Sequence, residues 1–452
     1  GLNLNREDIS IDSYQIDYIN SNYPIDSQSV STNLNSTVVQ MYSSAWNWTA
    51  PTDKVFNGWY VVTSGNDTPR KYLSDEKGPI RVMPGDGITI TYNQSESISY
   101  ISYAYDSGNG VLAITTPDKS GLVLTLEALW DTPHYAYLSS SGGYSGSLDN
   151  PNRPYHNLST ACAAFNGEGT VFTNIVVLKT NFNPTNYSGV YNVTIDGTYN
   201  GSKHTLSIPA GTGLSGDIYF KNITLSTPAM GYNEFSKGLY ANGHRLIIGE
   251  NVDTDYSGGI TTDNWYQRVN DDPGTTHVGF ILFGGSNTSS ITNATHVVVQ
   301  SGTFSSVFGG GNSGSVSDTY VSIGSTGSTG PTIFAVYGSS YGANAANTNI
   351  QVNSGTIMEL LGGGRSSNSD SNSTEVTGGY VSYLNGAQRS GGNSVGKGEG
   401  KTVVQVSVVN GKIDYLYGGV KDGNTDAKHH PVDGNIEIKV TGGNIYSLCG
   451  GY

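Results

Sequence analysis

The chain has 452 residues with 61 glycines, 31 tyrosines, only 13% charged residues and a formal net charge of −14. This composition is typical of a β-rich extracellular protein rather than a helical or α/β enzyme. The acidic balance argues against nucleic acid and anionic membranes as partners, because both need a positively charged surface. No run of 18 apolar residues is present to insert into a membrane.

Residues 1–45 form the first segment that the residue pattern distinguishes from the rest of the chain. Ile, Tyr and Asp alternate in it, which suggests strands. We interpret it as an N-terminal extension or arm that reaches a neighbouring molecule. The length of the chain leads us to expect two or three units in all.

Residues 46–131 carry bulky aromatic side chains at both ends. The phrase Phe-Asn-Gly-Trp occupies positions 56–59, and Leu-Glu-Ala-Leu-Trp occupies positions 126–130. The segment resembles the small β-grasp-type repeat of listerial internalins and of many large surface proteins of gut bacteria and some archaea. In that family similar phrases open and close the unit. About 30 residues between Tyr92 and Gly121 depart from the family pattern. The resemblance implies a spacer or assembly module with no catalytic residues.

Residues 132–277 contain one helical pattern followed by β-rich runs. Leu158, Ala161, Cys162 and Phe165 recur at helical spacing, which predicts an amphipathic helix within 155–165. The runs at 170–178 and 190–195 predict the first strands of a parallel β-helix, and the helix is expected to cap its open first coil. Pectate-lyase-like β-helix proteins and gut-bacterial adhesins are similar here. Enzymes and non-enzymes share this feature, so it predicts fold but not function.

Residues 278–452 repeat a β-rich run, an aromatic residue or leucine, and a glycine pair or its equivalent. The glycines at 284, 309, 338, 362, 386, 418 and 450 are 24 to 32 residues apart, which fits one coil of a β-solenoid. We expect these glycines at corners, either with positive φ or where neighbouring coils approach closely. The aromatic residues before the corners are expected to stack as a core ladder or, alternatively, to form an exposed ladder that binds glycan. They are Phe283, Phe308, Tyr337 and Tyr417.

Together these patterns predict an all-β chain, a β-solenoid or parallel β-helix with a small N-terminal β-grasp-like module. No helix, charge cluster or proline follows the last repeat. We therefore expect either a fragment cut within the solenoid or a second molecule that covers the open coil.

Cys162 and Cys449 are the two cysteines, one in the predicted helix and one in the last repeat. About nine coils with a rise of about 4.8 Å would place them on the order of 40 Å apart. A disulfide needs Cα atoms within about 7 Å, so a bridge within the chain is excluded under this interpretation. Two alternatives remain. Both cysteines are buried small apolar residues, or they form a disulfide between molecules that joins solenoids head to tail into rings or filaments.

The acidic segment from Asp253 to Asp272 is the richest candidate for chemistry. It offers carboxylates, Arg268 and two aromatic residues, so an active site, a calcium site and a solvated loop are the alternative interpretations. Trp265 and Tyr266 form a further candidate, a stacking platform for glycan. The carboxylates do not recur at coil spacing on a strand face, so the solvated loop is favoured. His429 and His430 are adjacent and would point to opposite faces of a strand, which favours a loop over a metal site.

Twelve Asn-x-Ser/Thr triplets are potential glycosylation sites. Their number is close to what the Asn, Ser and Thr content alone predicts, so it carries no weight by itself. The asparagines are Asn35, Asn47, Asn66, Asn93, Asn157, Asn186, Asn192, Asn200, Asn222, Asn287, Asn293 and Asn372.

We therefore expect a non-enzymatic, extracellular structural protein of the cell surface that assembles with itself, end to end or edge to edge, into a sheath, layer or fibre. The first alternative is a glycan-binding adhesin that is part of a larger surface protein. The second is a polysaccharide lyase or hydrolase on a β-helix. No cofactor is expected, with calcium as the one alternative. The expected partners are further copies of the chain and surface glycans.

Overall fold

The structure is a computed structural model and describes residues 13–21, 23–64, 68–93, 101–142, 145–228, 234–255, 280–388, 402–419 and 435–450. It is almost entirely β, with 50% of residues in strands, 2% in helices and long parallel sheets. This agrees with the predicted all-β class.

The N-terminal part is built from strands that precede residue 132. They are β1 (Ser13–Asn20), β2 (Tyr23–Ser31), β3 (Ser36–Val38), β4 (Val55–Ser64), β5 (Lys71–Tyr72), β6 (Ser74–Asp75), β7 (Gly78–Pro79), β8 (Arg81–Val82), β9 (Gly87–Tyr92), β10 (Ser102–Asp106), β11 (Val111–Thr116) and β12 (Val123–Asp131).

These strands form two main sheets that share one core, and we call this unit the N-terminal module. The strand order is β2-β1-β12-β4-β5 in the first sheet, with β8 beside β4, and β10-β11-β9-β3 in the second. Strands β1 and β12 are parallel, as are β9 and β11. Tyr14, Ile16, Trp59 and Leu126 are at most 1% exposed between the sheets.

The predicted boundary at residue 45 differs from this arrangement. Strand β1 pairs with β12, and β3 pairs with β9. Residues 13–45 are thus part of the N-terminal module rather than a separate arm, because their alternating apolar side chains fill its core. The stretch between Tyr92 and Gly121, which departs from the internalin-type pattern, contributes β10 and β11.

The strands after residue 132 carry the rest of the fold. They are β13 (His134–Leu138), β14 (Asn174–Leu178), β15 (Val193–Asp196), β16 (Thr198–Tyr199), β17 (Ser202–Lys203), β18 (Thr205–Ser207), β19 (Ile218–Lys221), β20 (Thr224–Ser226), β21 (Leu239–Tyr240), β22 (Arg245–Ile248), β23 (Asp253–Thr254), β24 (Ile281–Phe283), β25 (Thr295–Val299), β26 (Thr303–Phe308), β27 (Val316–Ile323), β28 (Thr332–Tyr337), β29 (Ala345–Val352), β30 (Thr356–Leu361), β31 (Ser369–Val376), β32 (Tyr380–Asn385), β33 (Thr402–Val408), β34 (Lys412–Tyr417), β35 (Asn435–Val440) and β36 (Asn444–Cys449).

Two long parallel sheets dominate this part. The eleven-stranded sheet has the order β13-β14-β15-β19-β22-β25-β27-β29-β31-β33-β35, and the eight-stranded sheet has the order β21-β24-β26-β28-β30-β32-β34-β36. From β24 onward the chain alternates strictly between the two sheets, so each strand pairs with the strand two elements later. Two strands that follow each other in the chain, one in each sheet, form what we call a rung. Apolar side chains from both sheets meet in one core, for example Val297, Phe304, Val321 and Ile333.

Helix α1 (Leu158–Ala163) lies where the helical pattern predicts it. The Asn157 side chain caps its first turn by accepting a hydrogen bond from the backbone N of Thr160. The helix contacts β13 and β14, and Leu158 and Cys162 join the core between the sheets. A single 3₁₀ turn follows later in the chain, at Phe235–Lys237.

The repeated glycines are sites of close approach between neighbouring rungs. A Cβ added at Gly284, 309, 338, 362, 386 or 418 would lie no more than 2.6 Å from the carbonyl oxygen of the corresponding glycine in the next rung. None of these six glycines has a positive φ, so close approach rather than turn geometry explains them. Inward-facing threonines complete the corner. Thr295 and Thr319 each donate a hydrogen bond of 2.6 Å to a corner carbonyl, at Gly309 and Gly338.

The aromatic residues before the corners stack across successive rungs. Tyr240, Phe283, Phe308 and Tyr337 have ring centroids 4.5 to 4.7 Å apart and ring planes within 11° of each other. All four are at most 3% exposed, so the predicted ladder is buried over these rungs. Tyr417 lies in the same row, but Leu361 and Asn385 separate it from the stack.

The N-terminal module packs against the outer face of the eleven-stranded sheet. Tyr219, Ile247 and Val298 of that sheet belong to the same buried cluster as Phe56 and Trp59 of the module. Successive residues of a strand point to opposite faces, so these side chains face away from the core between the two long sheets. The module is therefore packed along the side of the parallel sheets.

Candidate functional site

One outward-facing row of side chains crosses the eleven-stranded sheet beneath the N-terminal module. In register, the row is Thr194, Tyr219, Ile247, Val298, Ser322, Gln351, Glu375 and Ser407. Its middle members are apolar and pack into the module, whereas the members from Ser322 onward are polar and at most 2% exposed. The row therefore changes from an apolar to a buried polar interface along the sheet.

Glu375 is the central charged group of the polar half. Its Oε2 accepts hydrogen bonds from Gln28 Nε2 at 3.1 Å, Thr37 Oγ1 at 3.0 Å and Gln351 Nε2 at 3.2 Å. Two of these donors belong to the module and one to the adjacent strand. Burial raises the pKa of Glu375 to about 7, although the three hydrogen bonds favour the carboxylate.

A buried ion pair joins the two units nearer the middle of the sheet. Arg245 of β22 pairs with Asp86 of the module, and their side chains are 8% and 0% exposed. The Asp86 carboxylate also accepts hydrogen bonds of 2.8 Å from the Tyr105 hydroxyl and the Met83 backbone N. These contacts stabilise the charge of the Asp86 carboxylate, whose burial would otherwise cost free energy.

His296 lies beside this pair on the next strand. Its Nδ1 is 2.7 Å from the Gly85 carbonyl oxygen, and its Nε2 is 2.8 Å from the Asn109 carbonyl oxygen. Burial lowers the pKa of His296, and the Arg245 guanidinium lowers it further. The ring is therefore neutral near pH 7 and donates to one of the two carbonyls at a time.

A pocket of about 290 Å³ opens where the module meets the first strands of the eleven-stranded sheet. This volume is at the lower end of the range found for ligand sites, which begins near about 300 Å³. Its aromatic lining consists of Tyr42, Trp48, Phe56, Trp130, Phe172 and Tyr219. Polar side chains at the same pocket include Lys54, Lys221 and Glu250.

The two ends of the long parallel sheets differ. At the first end, the outer edge of β13 bonds to the chain itself: Asp149 N donates to the Tyr135 carbonyl, and Tyr155 N donates to the Tyr137 carbonyl. At the other end, β35 and β36 each have one strand neighbour among the described residues. Their large apolar side chains are exposed, by 45% at Val440, 81% at Tyr446 and 53% at Leu448.

The structure places the two cysteines in very different surroundings. Cys162 lies in α1, faces the core and is 1% exposed, and burial raises its pKa to about 12. Cys449 lies in β36 and is partly exposed. A disulfide from Cys162 to another molecule would require this side chain to leave the core. The head-to-tail bridge through both cysteines therefore does not fit the folded chain.

The acidic segment is described only at its start. Lys203 Nζ lies 2.6 Å from Asp253 Oδ2, and Ser226 Oγ donates to Asp255 Oδ2 at 2.9 Å, so both carboxylates have protein partners. Trp265 and Tyr266, the predicted glycan contact, lie outside the described residues, as do His429 and His430. Within the described ranges, no group of three or more His, Cys, Asp or Glu side chains is arranged to hold a metal ion.

The predicted glycosylation sites are unequal in exposure. Asn372 is 1% exposed, and its Oδ1 accepts hydrogen bonds from Thr348 and Ser369, so it is not accessible for glycosylation in the folded chain. Asn66 lies outside the described residues. Asn93, Asn222 and Asn287 are partly exposed. The remaining sites, Asn35, Asn47, Asn157, Asn186, Asn192, Asn200 and Asn293, are exposed.

The sequence patterns did not identify the buried interface residues as a group. The available signal was local: Arg245 is the one charged residue of the otherwise apolar strand β22, which indicates a buried, paired group, whereas β31 carries Asp370 as well as Glu375. Asp86, the partner of Arg245, and Gln28, the partner of Glu375, lie far away in the sequence. No periodicity relates the two positions of either pair. The pocket was also missed, although Trp130 ends one of the phrases that defined the module and Trp48 precedes the other.

In the part of the chain that the structure covers, no helix is both long and apolar enough to cross a lipid bilayer. No family model matches the chain, no curated protein matches it, and no solved structure matches it.

Proposed function

We propose that this chain is a non-enzymatic structural protein of the cell surface, built as a β-solenoid, that assembles with further copies of itself. The observation that carries the proposal is the stacking of in-register strands in two long parallel sheets, in which each strand edge is completed by the strand of the next rung. Strict alternation of the chain between two in-register parallel sheets from β24 to β36 supports the solenoid.

The first edge is protected against pairing. Backbone groups of β13 that face outward already bond to residues 149 and 155, and α1 covers the core beneath them. An edge whose hydrogen bonds are satisfied by its own chain does not accept another strand. This is how soluble β proteins prevent unwanted association.

The last rung has the opposite character. Val440, Tyr446 and Leu448 present apolar surface, and β35 and β36 offer strand edges in the register of the rungs before them. An exposed, regular and apolar edge is a template for pairing with another strand. We assign this edge to contact with a second copy of the chain.

The interface between the module and the sheet supports a structural role. The charged side chains of Arg245, Asp86 and Glu375 make contacts within the chain that hold the module on the sheet. Stacked rungs with the module packed along one sheet resist bending. This property suits a component of a layer or fibre. The glycine- and tyrosine-rich, low-charge composition supports an extracellular location.

The test is the association state of the chain with and without charges on the last rung. Sedimentation velocity over a range of concentrations is expected to show association of the unmodified chain. Tyr446→Lys and Leu448→Lys should abolish it, because lysines on an edge prevent strand pairing. Val123→Lys is the matched control, since Val123 is 49% exposed on the module, away from this edge.

Association should also persist in the presence of reducing agents, because pairing of strand edges rather than a disulfide joins the copies. A chain that stays monomeric at every concentration would contradict the proposal. Equal association of the lysine variants and the unmodified chain would contradict the assignment to this edge. Negative-stain microscopy of the same samples distinguishes rods joined at their ends from irregular aggregates.

A further inference from the structure

The pocket between the N-terminal module and the eleven-stranded sheet has features that neither packing nor assembly requires. Trp48 and Trp130 are only partly buried, with ring centroids 4.6 Å apart, whereas Trp59 of the same module is 0% exposed. Partly buried indoles lining a concave site are typical of ligand contact.

The geometry of the rings differs from that of the buried ladder. The planes of Trp48 and Trp130 are inclined by 39°, and those of Tyr42 and Trp48 by 60°. In the ladder, by contrast, rings lie within 11° of parallel and cover each other's faces. The inclined rings instead form the walls of a concave surface that can hold the flat apolar face of a ligand.

The indole of Trp130 is held in place by a polar contact. Its Nε1 donates a hydrogen bond of 3.1 Å to Asn20 Oδ1. On the opposite wall, Gly249 leaves room for the ring of Tyr219, because a Cβ there would lie 3.0 Å from the ring Cζ and the hydroxyl oxygen. Both walls are therefore positioned by residues outside the pocket, as expected of a preorganised site.

Polar groups surround the aromatic walls. Glu250 Oε1 accepts a hydrogen bond from the Ser44 backbone N, and Lys221 Nζ lies 3.4 Å from Asp196 Oδ2. Burial raises the pKa of Tyr42 to about 12 and raises that of Tyr219 as well, so both hydroxyls stay protonated. The pocket thus offers hydroxyl, carboxylate and ammonium groups together.

The charges at the pocket balance. Lys54 and Lys221 are matched by Glu250 and by Asp196, which is already paired with Lys221. A site for an ion would show an excess of the opposite charge. Balanced polar groups around aromatic walls instead suit a neutral ligand with many hydroxyl groups, which both donate and accept hydrogen bonds.

We propose that this pocket binds an uncharged sugar unit of a glycan, packed against Trp48 and Trp130 and hydrogen-bonded through Glu250 and Lys221. The module supplies one wall, and strands β15 and β19 with the nearby residues Phe172 and Glu250 supply the other, so the site exists only when the two are packed together. This binding activity goes beyond the proposed structural role and is independent of it.

The test is ¹⁹F NMR of the full chain labelled with 5-fluorotryptophan, with each resonance assigned by single Trp→Phe variants. The chain is titrated with the neutral disaccharides cellobiose, maltose, lactose and N,N′-diacetylchitobiose, and with the acidic digalacturonate. At least one neutral disaccharide should shift the Trp48 and Trp130 resonances to saturation. The resonance of the buried Trp59 should not move, and digalacturonate should bind about tenfold more weakly or not at all.

Two variants and one control complete the test. Trp48→Ala should abolish the shift at Trp130, and Glu250→Gln should weaken binding about tenfold while keeping the Ser44 contact. Glu168→Gln, at an exposed glutamate elsewhere, should bind like the unmodified chain. No shift with any neutral disaccharide, stronger binding of digalacturonate, or full binding by Trp48→Ala would each overturn the proposal.

The titrations are carried out in the Leu448→Lys background, whose exposed rung carries an added charge. Sugar binding and self-association are then measured separately. Failure of one proposal therefore leaves the result for the other intact.

Discussion

Gln28 Nε2 donates a hydrogen bond of 3.1 Å to Glu375 Oε2, joining two residues that are 347 positions apart in the sequence. The contact lies at the polar end of the interface, and the Arg245–Asp86 ion pair lies nearer its middle. The module is therefore tied to the same sheet face at two separate points. The module and the parallel sheets therefore share one buried interface.

Glu375→Gln should change how stability depends on pH. The folded pKa of Glu375 is raised to about 7 from 4.5, so the folded chain binds a proton between these values that the unfolded chain does not. Stability from this group is present below about pH 4.5 and is lost as pH rises through about 7, a change of about 3 kcal/mol. The variant should lack this loss and be more stable than the unmodified chain above pH 7.

Urea unfolding across this pH range measures the difference. His296 titrates in both proteins, so its contribution, which is lost as pH falls below 6.5, cancels in the comparison. Glu168→Gln, at an exposed position, should follow the unmodified chain. Parallel curves for Glu375→Gln and the unmodified chain would show that the Glu375 carboxyl is not perturbed.

Arg245→Met should destabilise the chain by about 3–5 kcal/mol, because it leaves the fully buried Asp86 carboxylate without its charge partner. The double variant Arg245→Met/Asp86→Asn should lose clearly less than the sum of the single changes. Lys203→Met removes the exposed pair with Asp253 and should cost less than about 1 kcal/mol. Additive losses at Arg245 and Asp86 would mean that the two groups do not interact.

Gly309→Ala should destabilise the parallel sheets by about 1–3 kcal/mol, because the added Cβ meets the Gly338 carbonyl oxygen and the Thr319 side chain. Gly450→Ala is the matched control in the same row of corners. A Cβ there has no neighbour within 4 Å, so the change should stay within about 0.5 kcal/mol. Thermal unfolding of both variants measures the difference, and equal stability would contradict the close approach of the rungs.

Alkylation with iodoacetamide should distinguish the two cysteines. The partly exposed Cys449 should react in the folded chain, whereas Cys162 should react only after unfolding, because its thiol is buried and its pKa is raised to about 12. Peptide mass spectrometry with and without urea identifies the modified residue. Rapid labelling of Cys162 in the folded chain would show that α1 opens.

Local patterns in the sequence were sufficient to predict several elements of the structure. Alternating apolar residues predicted the strands at 295–308, helical spacing predicted α1, and the repeated glycines marked the close approaches from Gly284 to Gly418. The ladder through Phe283, Phe308 and Tyr337 followed from the same repeat. Each depends on neighbouring positions or on a regular period, so the information is contained in short stretches of chain.

The sequence by itself thus determined the all-β class, the spacing of the repeated corners and the position of the helix. Only the tertiary structure decided that residues 13–45 belong to the module and that Cys162 is inaccessible. It also placed Asp86 beside Arg245, Gln28 beside Glu375, and Trp130 opposite Tyr219. These relationships depend on how two separately patterned units fit together. The side chains that fit together in shape and charge are far apart in the sequence. No repeat in the sequence relates their positions.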